Sequence, residues 1–330
     1  MKFRQAFLKY IGLAGLFLSV SLGPGLDAVA FEKVGVTSFQ FLKVMPGARS
    51  TGVGEAYSSI VDGADAMYWN PAALTRVSRL SVNASHVDWF LDTGHNSFTA
   101  AYNIGRNVSL GLMALNADYG SIEVTTVDAL GPVGDGYNPG LTGETITPGA
   151  TAFGIGFGHQ LTNKFSYGLT GKYVTEDMVV RKKSLLMFDG GIYYHTGFRS
   201  VQMSATLRHF GPEVTYYDKS YSLPQTMNVG ISAYVIGQGD YLFFNARNQN
   251  LLMAFDIVQP RDYDQQYNLG AEYSISDILF LRAGYKINYD TAGLTLGFGV
   301  QYANFAIDYS FNDHDEFLGN VNRFSVGYNL

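Results

Sequence analysis

The sequence predicts an all-β protein: a 14-stranded antiparallel transmembrane β-barrel preceded by an N-terminal plug-like segment. Three observations predict this fold class. Apolar residues alternate with small or polar ones over many segments, such as 294–302, which is the period of a strand with two unlike faces. Tyr, Phe and Gly are abundant, at 23, 23 and 38 copies, while charged residues make up only 15% of the chain. The last residues, 321–330, also alternate, as expected for the closing strand of an outer-membrane barrel.

The beginning of the chain has the three-part pattern of a secretory signal peptide, which we assign to residues 1–30. A basic start at residues 2–9 is followed by an apolar run at residues 11–22 and by the small-x-small site Ala28-Val29-Ala30. An uncleaved anchor helix is the alternative, but the apolar run is shorter than the roughly 20 residues that a span requires. We therefore expect a mature chain that begins at Phe31 and is exported to the outer membrane of a Gram-negative-type bacterium.

Residues 31–78 do not alternate, and we interpret them as a separate N-terminal plug or hatch segment. Small residues in this segment let backbones pack closely, and Asn70-Pro71 suits a helix start with Asn as the N-cap and Pro at the first helical position. A loop and helix packed against the barrel mouth is the alternative to a plug that occludes the lumen. The candidate plug-motif residues are Gly47, Ala48, Arg49, Gly52, Gly54, Asn70, Pro71 and Ala72.

Residues 79–330 contain fourteen alternating segments, and an even number is typical of single-chain bacterial barrels. The predicted strands are 79–88, 95–105, 107–118, 150–160, 164–176, 184–195, 199–209, 225–237, 249–258, 265–275, 278–288, 292–303, 304–312 and 321–330. Tight turns alternate with longer connections, which is the asymmetry of periplasmic turns and extracellular loops. The longest connection, 118–149, is predicted to be a loop with a flexible tip. The connection 237–248 breaks the pattern and is predicted to be a short hairpin extension or an interfacial segment.

The two faces of the predicted strands differ in chemistry. Leu110, Ile155 and Ile307 belong to apolar rows predicted to face lipid, where an Arg or Lys would cost about 2–4 kcal/mol near the membrane midplane. Charged residues of both signs fall on the inward faces, which favours pairing between them over the selection of one ion. The candidate lumen charges are Lys172, Asp189, Arg208, Asp256, Glu272, Arg282, Lys286 and Asp308.

Several kinds of chemistry have no matching pattern in the sequence. The absence of cysteine rules out disulfides and thiolate metal sites, and the six histidines lack metal-ligand spacing. A net charge of −6 argues against nucleic acid as a partner. The acidic run 312–316 could bind calcium or supply an acid–base pair, although a solvated loop is the simpler interpretation. We expect no catalytic residues, no metal and no cofactor.

The run from Pro46 to Leu74 resembles a known family. Its G-A-R-S-x-G-x-G-x-A opening and its W-N-P-A-A-L close are similar to the N-terminal segment of the PorV/PorQ family of outer-membrane proteins, which is itself similar to the FadL family of transporters. The resemblance implies a segment tucked into a 14-stranded barrel. One departure is Leu330, because such barrels usually end in an aromatic residue.

This resemblance implies two functions of different classes. PorV-like barrels receive secreted proteins during type IX secretion or cell-surface attachment, so that secreted proteins or translocon components would be partners. FadL-like barrels transport long-chain fatty acids or other hydrophobic small molecules. We expect the first function, with the second as the alternative, and outer-membrane lipid as a partner in both cases. A barrel enzyme that uses acidic extracellular loops is a weaker third possibility, and we expect no enzymatic activity.

Overall fold

The computed structural model of the protein describes residues 36–330, except 92, 135, 180 and 315–318. The predicted signal peptide, its cleavage site and part of the acidic run 312–316 lie outside the described residues. Among the described residues, no helix is long and apolar enough to cross a membrane.

Antiparallel strands dominate the structure. Strands in the first half of the chain are β1 Leu80–Asp88, β2 Gly94–Gly105, β3 Val108–Asp118, β4 Ile122–Val133, β5 Gly136–Ile146, β6 Gly149–Thr162, β7 Phe165–Asp177, β8 Lys182–His195 and β9 Gln202–Phe210. Those in the second half are β10 Val214–Tyr216, β11 Lys219–Tyr221, β12 Thr226–Gly237, β13 Phe244–Asn245, β14 Gln249–Pro260, β15 Gln266–Ile275, β16 Leu279–Ile287, β17 Ala292–Tyr302, β18 Phe305–His314 and β19 Asn320–Asn329.

Fourteen of these strands form one closed barrel, which confirms the predicted fold class. The barrel closes where β19 pairs with β1, with Val326 opposite Ala84, and where β9 pairs with β12. Strands β4, β5, β10, β11 and β13 lie outside this closed ladder. The bounds of the barrel strands lie close to the predicted segments.

The wall of the barrel has an apolar outer face and a small or polar inner face. On β18, Ile307 is 60% exposed on the outside, whereas the inward Ser310 is fully buried. Leu110, Ile155 and Leu281 are likewise exposed on the outer faces of their strands. A closed barrel leaves no unpaired strand edges and its apolar outer wall faces lipid, so the protein is an outer-membrane barrel.

Two connections differ from their predictions. The connection 118–149 is not a loop without secondary structure, because β4 and β5 within it form a β-hairpin from the Ile122–Ile146 pair to the Val133–Gly136 pair. Water surrounds both faces of this hairpin, so neither face needs an apolar row. For this reason apolar and polar residues do not alternate clearly in the sequence of the two strands. The connection 237–248 is not a hairpin extension, since β13 runs parallel to the end of β12, with Phe244 opposite Ile236. The alternative, an interfacial segment, stays a prediction.

The N-terminal segment, defined here as residues 36–78, consists of short helical turns. They are the 3-10 turns Gln40–Lys43, Gly63–Asp65 and Pro71–Arg76 and the α-helices Ala48–Gly52 and Ala66–Trp69. Asn70 caps the last turn, since its side-chain oxygen accepts a hydrogen bond of 3.1 Å from the amide of Ala72, and Pro71 begins that turn. This arrangement confirms the predicted helix start.

The N-terminal segment runs along the lumen from one end of the barrel to the other. Tight turns such as β17–β18 lie at one end, which is therefore periplasmic, and the long connections lie at the extracellular end. Thr37 pairs with Ser222, in the extracellular connection between β9 and β12. Leu80, which follows the segment, exchanges backbone hydrogen bonds with Leu330 at the periplasmic end.

Candidate functional site

Glycines on the inner wall form the surface on which the N-terminal segment packs. A Cβ atom at Gly284 of β16 would overlap the backbone of Gly54, and one at Gly297 of β17 would lie 3.0 Å from the Cα of Gly52. Contacts this close between two backbones are possible only without side chains. The inward glycines therefore make room for the segment.

The opposite wall of the barrel also contacts the segment closely at glycines. A Cβ atom at Gly168 of β7 would overlap the carbonyl of Pro71, and one at Gly191 of β8 would overlap the side chain of Asn70. In the order of strands around the barrel, β7 and β8 lie across the lumen from β16 and β17. The segment thus contacts both sides of the lumen.

The residues of the predicted plug motif lie along these contacts. Arg49 is half-buried and the other seven are buried. Gly47 precedes the Ala48–Gly52 helix, and the amide of Ala48 donates a hydrogen bond of 2.9 Å to Ser325 Oγ on β19. At the end of the same helix, Thr295 Oγ1 on β17 donates to the carbonyl of Gly52. The motif thus supplies close backbone contacts with the barrel wall.

A network of four charged side chains surrounds Glu272 and joins the segment to the wall. Arg49 donates from Nε and Nη2 to the two carboxylate oxygens of Glu272, each at 2.9 Å, and from Nη1 to Asp62 at 2.7 Å. Arg282 donates to Glu272 and to Asp308, both at 2.6 Å. Glu272, Arg282 and Asp308 are three of the predicted lumen charges.

The other predicted lumen charges also contact partners inside the barrel. Lys286 donates to Glu55 of the segment at 2.8 Å, and Asp256 accepts from the amide of Ser58 at 3.0 Å. Lys172 and Asp189 form a buried ion pair, and Arg208 lies 5.2 Å from the ring centroid of Trp69. All eight charges therefore face inward, and four of them, Arg208, Asp256, Glu272 and Lys286, contact the segment.

A polar cavity of about 500 Å³ lies at the periplasmic end of the lumen. Charged side chains from the Glu272 network line it, together with Asp65, Arg76 and the C-terminal residue Leu330. Walls of this composition suit water rather than a hydrocarbon. The cavity therefore forms an aqueous vestibule that ends at the segment.

The extracellular end has a different chemistry. An open groove of about 560 Å³ is lined by Tyr216, Tyr217, Tyr221 and Met178, together with the charged side chains of Glu176, Asp218 and Lys219 and the start of the segment. Tyr216 also packs against a buried apolar cluster inside the barrel, to which Phe39 and the wall residue Val174 belong. The groove is thus continuous with an apolar region of the lumen.

Sequence reasoning did not find this extracellular site. Its tyrosines lie in a connection that has no strand period, and its buried part depends on which wall the segment contacts. The one available signal was the apolar pattern Phe39-Gln40-Phe41-Leu42 in an otherwise small and polar stretch.

Comparisons with known proteins identify the fold but match the sequence to no family. No protein-family model and no curated protein matches the sequence. Among solved structures, the Pseudomonas putida toluene transporter TodX has a TM-score of 0.53 and 12% identity, over 85% of this chain and 96% of that chain. A Pseudomonas aeruginosa FadL homologue has a TM-score of 0.50 and 11% identity, over 86% and 98% of the two chains. A TodX mutant described as a monoaromatic hydrocarbon channel has a TM-score of 0.52 and 12% identity, over 86% and 99%.

These solved structures place the barrel with the fold of FadL-family outer-membrane channels. The PorV/PorQ resemblance of residues 46–74 gains no support from them, because the similar structures are FadL-type channels. At 11–12% identity the likeness concerns the fold alone.

Proposed function

We propose that this protein is a FadL-like, non-enzymatic channel through which small hydrophobic molecules cross the outer membrane. The observation that carries the proposal is the tyrosine-lined extracellular groove that continues into an apolar region of the lumen. Apolar surface gains about 25 cal/mol per Å² when it leaves water, so the aromatic side chains of the groove and the apolar region behind them favour a hydrocarbon. The two TodX structures, whose descriptions name toluene and monoaromatic hydrocarbons, share this barrel fold.

The N-terminal segment is the plug of this channel in our proposal. It contacts glycines on opposite walls and separates the apolar extracellular region from the polar periplasmic vestibule. The inward charges then serve to hold the plug rather than to select ions, since they pair with one another and with the segment.

The expected leading function, reception of secreted proteins in type IX secretion, is less well supported than its alternative. The similar solved structures are channels for hydrophobic substrates, which favours the transporter. Nothing in the described part of the barrel favours the secretion role.

Uptake by whole cells tests the proposal. The chain is expressed in Gram-negative cells that lack their own hydrophobic channels, and the initial uptake of radiolabelled toluene and oleate is compared with an empty vector. We expect faster uptake of at least one of these compounds and unchanged uptake of a trisaccharide. Uptake of both compounds at the rate of the empty vector would refute the transporter.

A matched pair of variants links uptake to the groove. Tyr216→Ser removes an aromatic wall residue that contacts the apolar cluster, and Phe243→Ser removes an exposed aromatic residue at the other end of the barrel. We expect slower uptake only for the first variant.

A further inference from the structure

Part of the N-terminal segment fills an apolar pocket in the extracellular half of the lumen. Phe39, Phe41 and Leu42 are buried there, at 1%, 4% and 5% exposure. Four neighbouring strands and the connection between β9 and β12 supply the walls, which are Leu115, Ala117, Ala150, Ala152, Val174, Met187, Val214 and Leu223. The pocket would remain, lined by apolar side chains, if these three residues moved away.

The shape of the wall suits a ring-sized occupant. Leu115 lies opposite Ala152, and Ala117 lies opposite Ala150, on the paired strands β3 and β6. Three alanines on adjacent strands leave a concave surface, and the rings of Phe39 and Phe41 occupy it with centroids 6.3 Å apart. The pocket therefore has room for one or two aromatic rings.

The wall also indicates that the occupant is neutral. The side chains of the cluster are apolar residues and tyrosines, and two of these tyrosines, Tyr119 and Tyr216, donate hydrogen bonds to the carboxylate of Glu176. Lys172, opposite Met187 on the neighbouring strand, is paired with Asp189, so it offers no free cation to a carboxylate. A fatty-acid carboxylate in the pocket would leave water and lie near the carboxylate of Glu176, which is unfavourable.

The turn that carries these rings is held mainly from outside the pocket. Thr37 and Lys43 flank the turn and both bind the carboxylate of Asp262, at 2.7 and 2.5 Å. The amide of Ser38 donates to the carbonyl of Ser222 at 3.0 Å. Phe39 has a left-handed backbone with φ 55°, which a bulky residue rarely adopts unless its surroundings impose it.

We propose that the Phe39–Leu42 turn is a tethered occupant of the solute site, and that a neutral molecule of one or two aromatic rings binds in its place. This inference rests on the proposed function and specifies its site and substrate class. The solute passes from the tyrosine groove into the pocket only when the turn leaves, because the turn and the solute contact the same wall residues. The Thr37, Ser38 and Lys43 contacts set how readily the turn leaves.

Emptying the pocket tests whether it binds such molecules. Binding of radiolabelled naphthalene to the purified full chain is measured by equilibrium dialysis, with protein-free micelles as the blank. Phe41→Ala should bind naphthalene about tenfold more tightly than the wild type, because a vacated apolar cavity accepts an aromatic ring. Phe243→Ala, at an exposed site, should bind like the wild type. Equal affinities for Phe41→Ala and the wild type would overturn the proposal.

Locking the turn tests the same idea without removing any part of the pocket. The chain has no cysteine, so Thr37→Cys with Ser222→Cys introduces the single possible disulfide, between residues that pair in the structure. Oxidised cells should lose the toluene uptake that reduced cells show, while Thr37→Cys alone should not respond to oxidation. Equal uptake by the bridged and reduced forms would overturn the tethered occupant and leave the transporter intact. Wild-type uptake at the empty-vector rate would overturn both.

Discussion

Arg49 of the N-terminal segment binds Glu272 of strand β15 through two hydrogen bonds of 2.9 Å, one to each carboxylate oxygen. Each residue also has a second partner of opposite charge, Asp62 for Arg49 and Arg282 for Glu272. Removal of one member of a buried ion pair leaves the other charge without compensation. The Arg49–Glu272 pair therefore holds the segment against the barrel wall.

Arg49→Met should destabilise the folded protein by about 3 kcal/mol, the lower end of the range for broken buried pairs, because Arg49 is only half-buried. The free energy of unfolding in detergent, measured with urea, checks this value. Lys182→Met is the matched control, since Lys182 pairs with Asp177 at 3.4 Å on the exposed surface and should contribute less than about 1 kcal/mol. Equal losses of unfolding free energy in both variants would show that the Arg49–Glu272 pair stabilises the protein no more than a surface ion pair does.

Gly284→Ala should weaken the docking of the segment, because the added Cβ atom would overlap the backbone of Gly54. Overpacking of this kind costs about 1–3 kcal/mol. Limited proteolysis of the N-terminal segment in the folded barrel measures its release. Gly171→Ala places its Cβ atom 3.7 Å from the ring of Phe188, an ordinary contact, so it should leave the cleavage rate unchanged. Protection of the segment in both variants would argue against a close fit at Gly284.

Ile307→Arg and Ala306→Arg place the same charge on opposite faces of β18. Ile307 is exposed on the lipid face, where Arg costs about 2–4 kcal/mol near the membrane midplane. Ala306 borders the aqueous vestibule. The yield of folded barrel in the outer membrane should fall for the first variant and stay near wild type for the second. Similar yields would mean that the faces of β18 are assigned wrongly.

Asp262→Asn should loosen the extracellular end of the segment at neutral pH. Burial acts to raise the pKa of Asp262, but hydrogen bonds from Lys43 and Thr37 outweigh it and hold the pKa below its ordinary value. A lowered pKa stabilises the folded arrangement above the ordinary Asp pKa, and the contribution is lost as the pH falls through the lowered value. Docking should therefore not vary near neutrality and should weaken only in acid.

Hydrogen exchange of the amides in residues 37–43 measures the effect of this change. Exchange should be faster in Asp262→Asn at neutral pH, and the wild type should approach that rate only in acid. Asp264→Asn, at an exposed position of the same loop, should exchange like the wild type. Unchanged exchange in Asp262→Asn would show that the carboxylate does not hold the turn.

The barrel could be predicted from sequence because each strand lies between lipid and a packed lumen. Two unlike environments impose a period of two, so positions such as Ile307 and Asp308 reveal their faces without any knowledge of their neighbours. The β4–β5 hairpin was missed for the same reason. Both of its faces meet water, so Val127 and Asp128 follow no pattern that burial would impose.

The extracellular site could not be predicted because it depends on contacts between distant parts of the chain. Phe39 and Phe41 suggest only an apolar turn, and their neighbours Leu115 and Val174 look like other inward residues of their strands. Close packing decides which wall the segment touches. The motif around Asn70 and Pro71 likewise indicates how a turn begins, but does not distinguish a secretion partner from a hydrocarbon channel.

The claim on which these proposals depend is that the N-terminal segment seals the lumen. Single-channel recording in planar bilayers tests it most directly, by comparing the chain from residue 31 onward with a chain that begins at residue 75. The full chain should show no stable ion-conducting steps, because the segment packs closely against glycines on opposite walls of the lumen. The shortened chain should show large open steps, as expected for an empty 14-stranded barrel. Stable open steps of the same size in the full chain would contradict the seal.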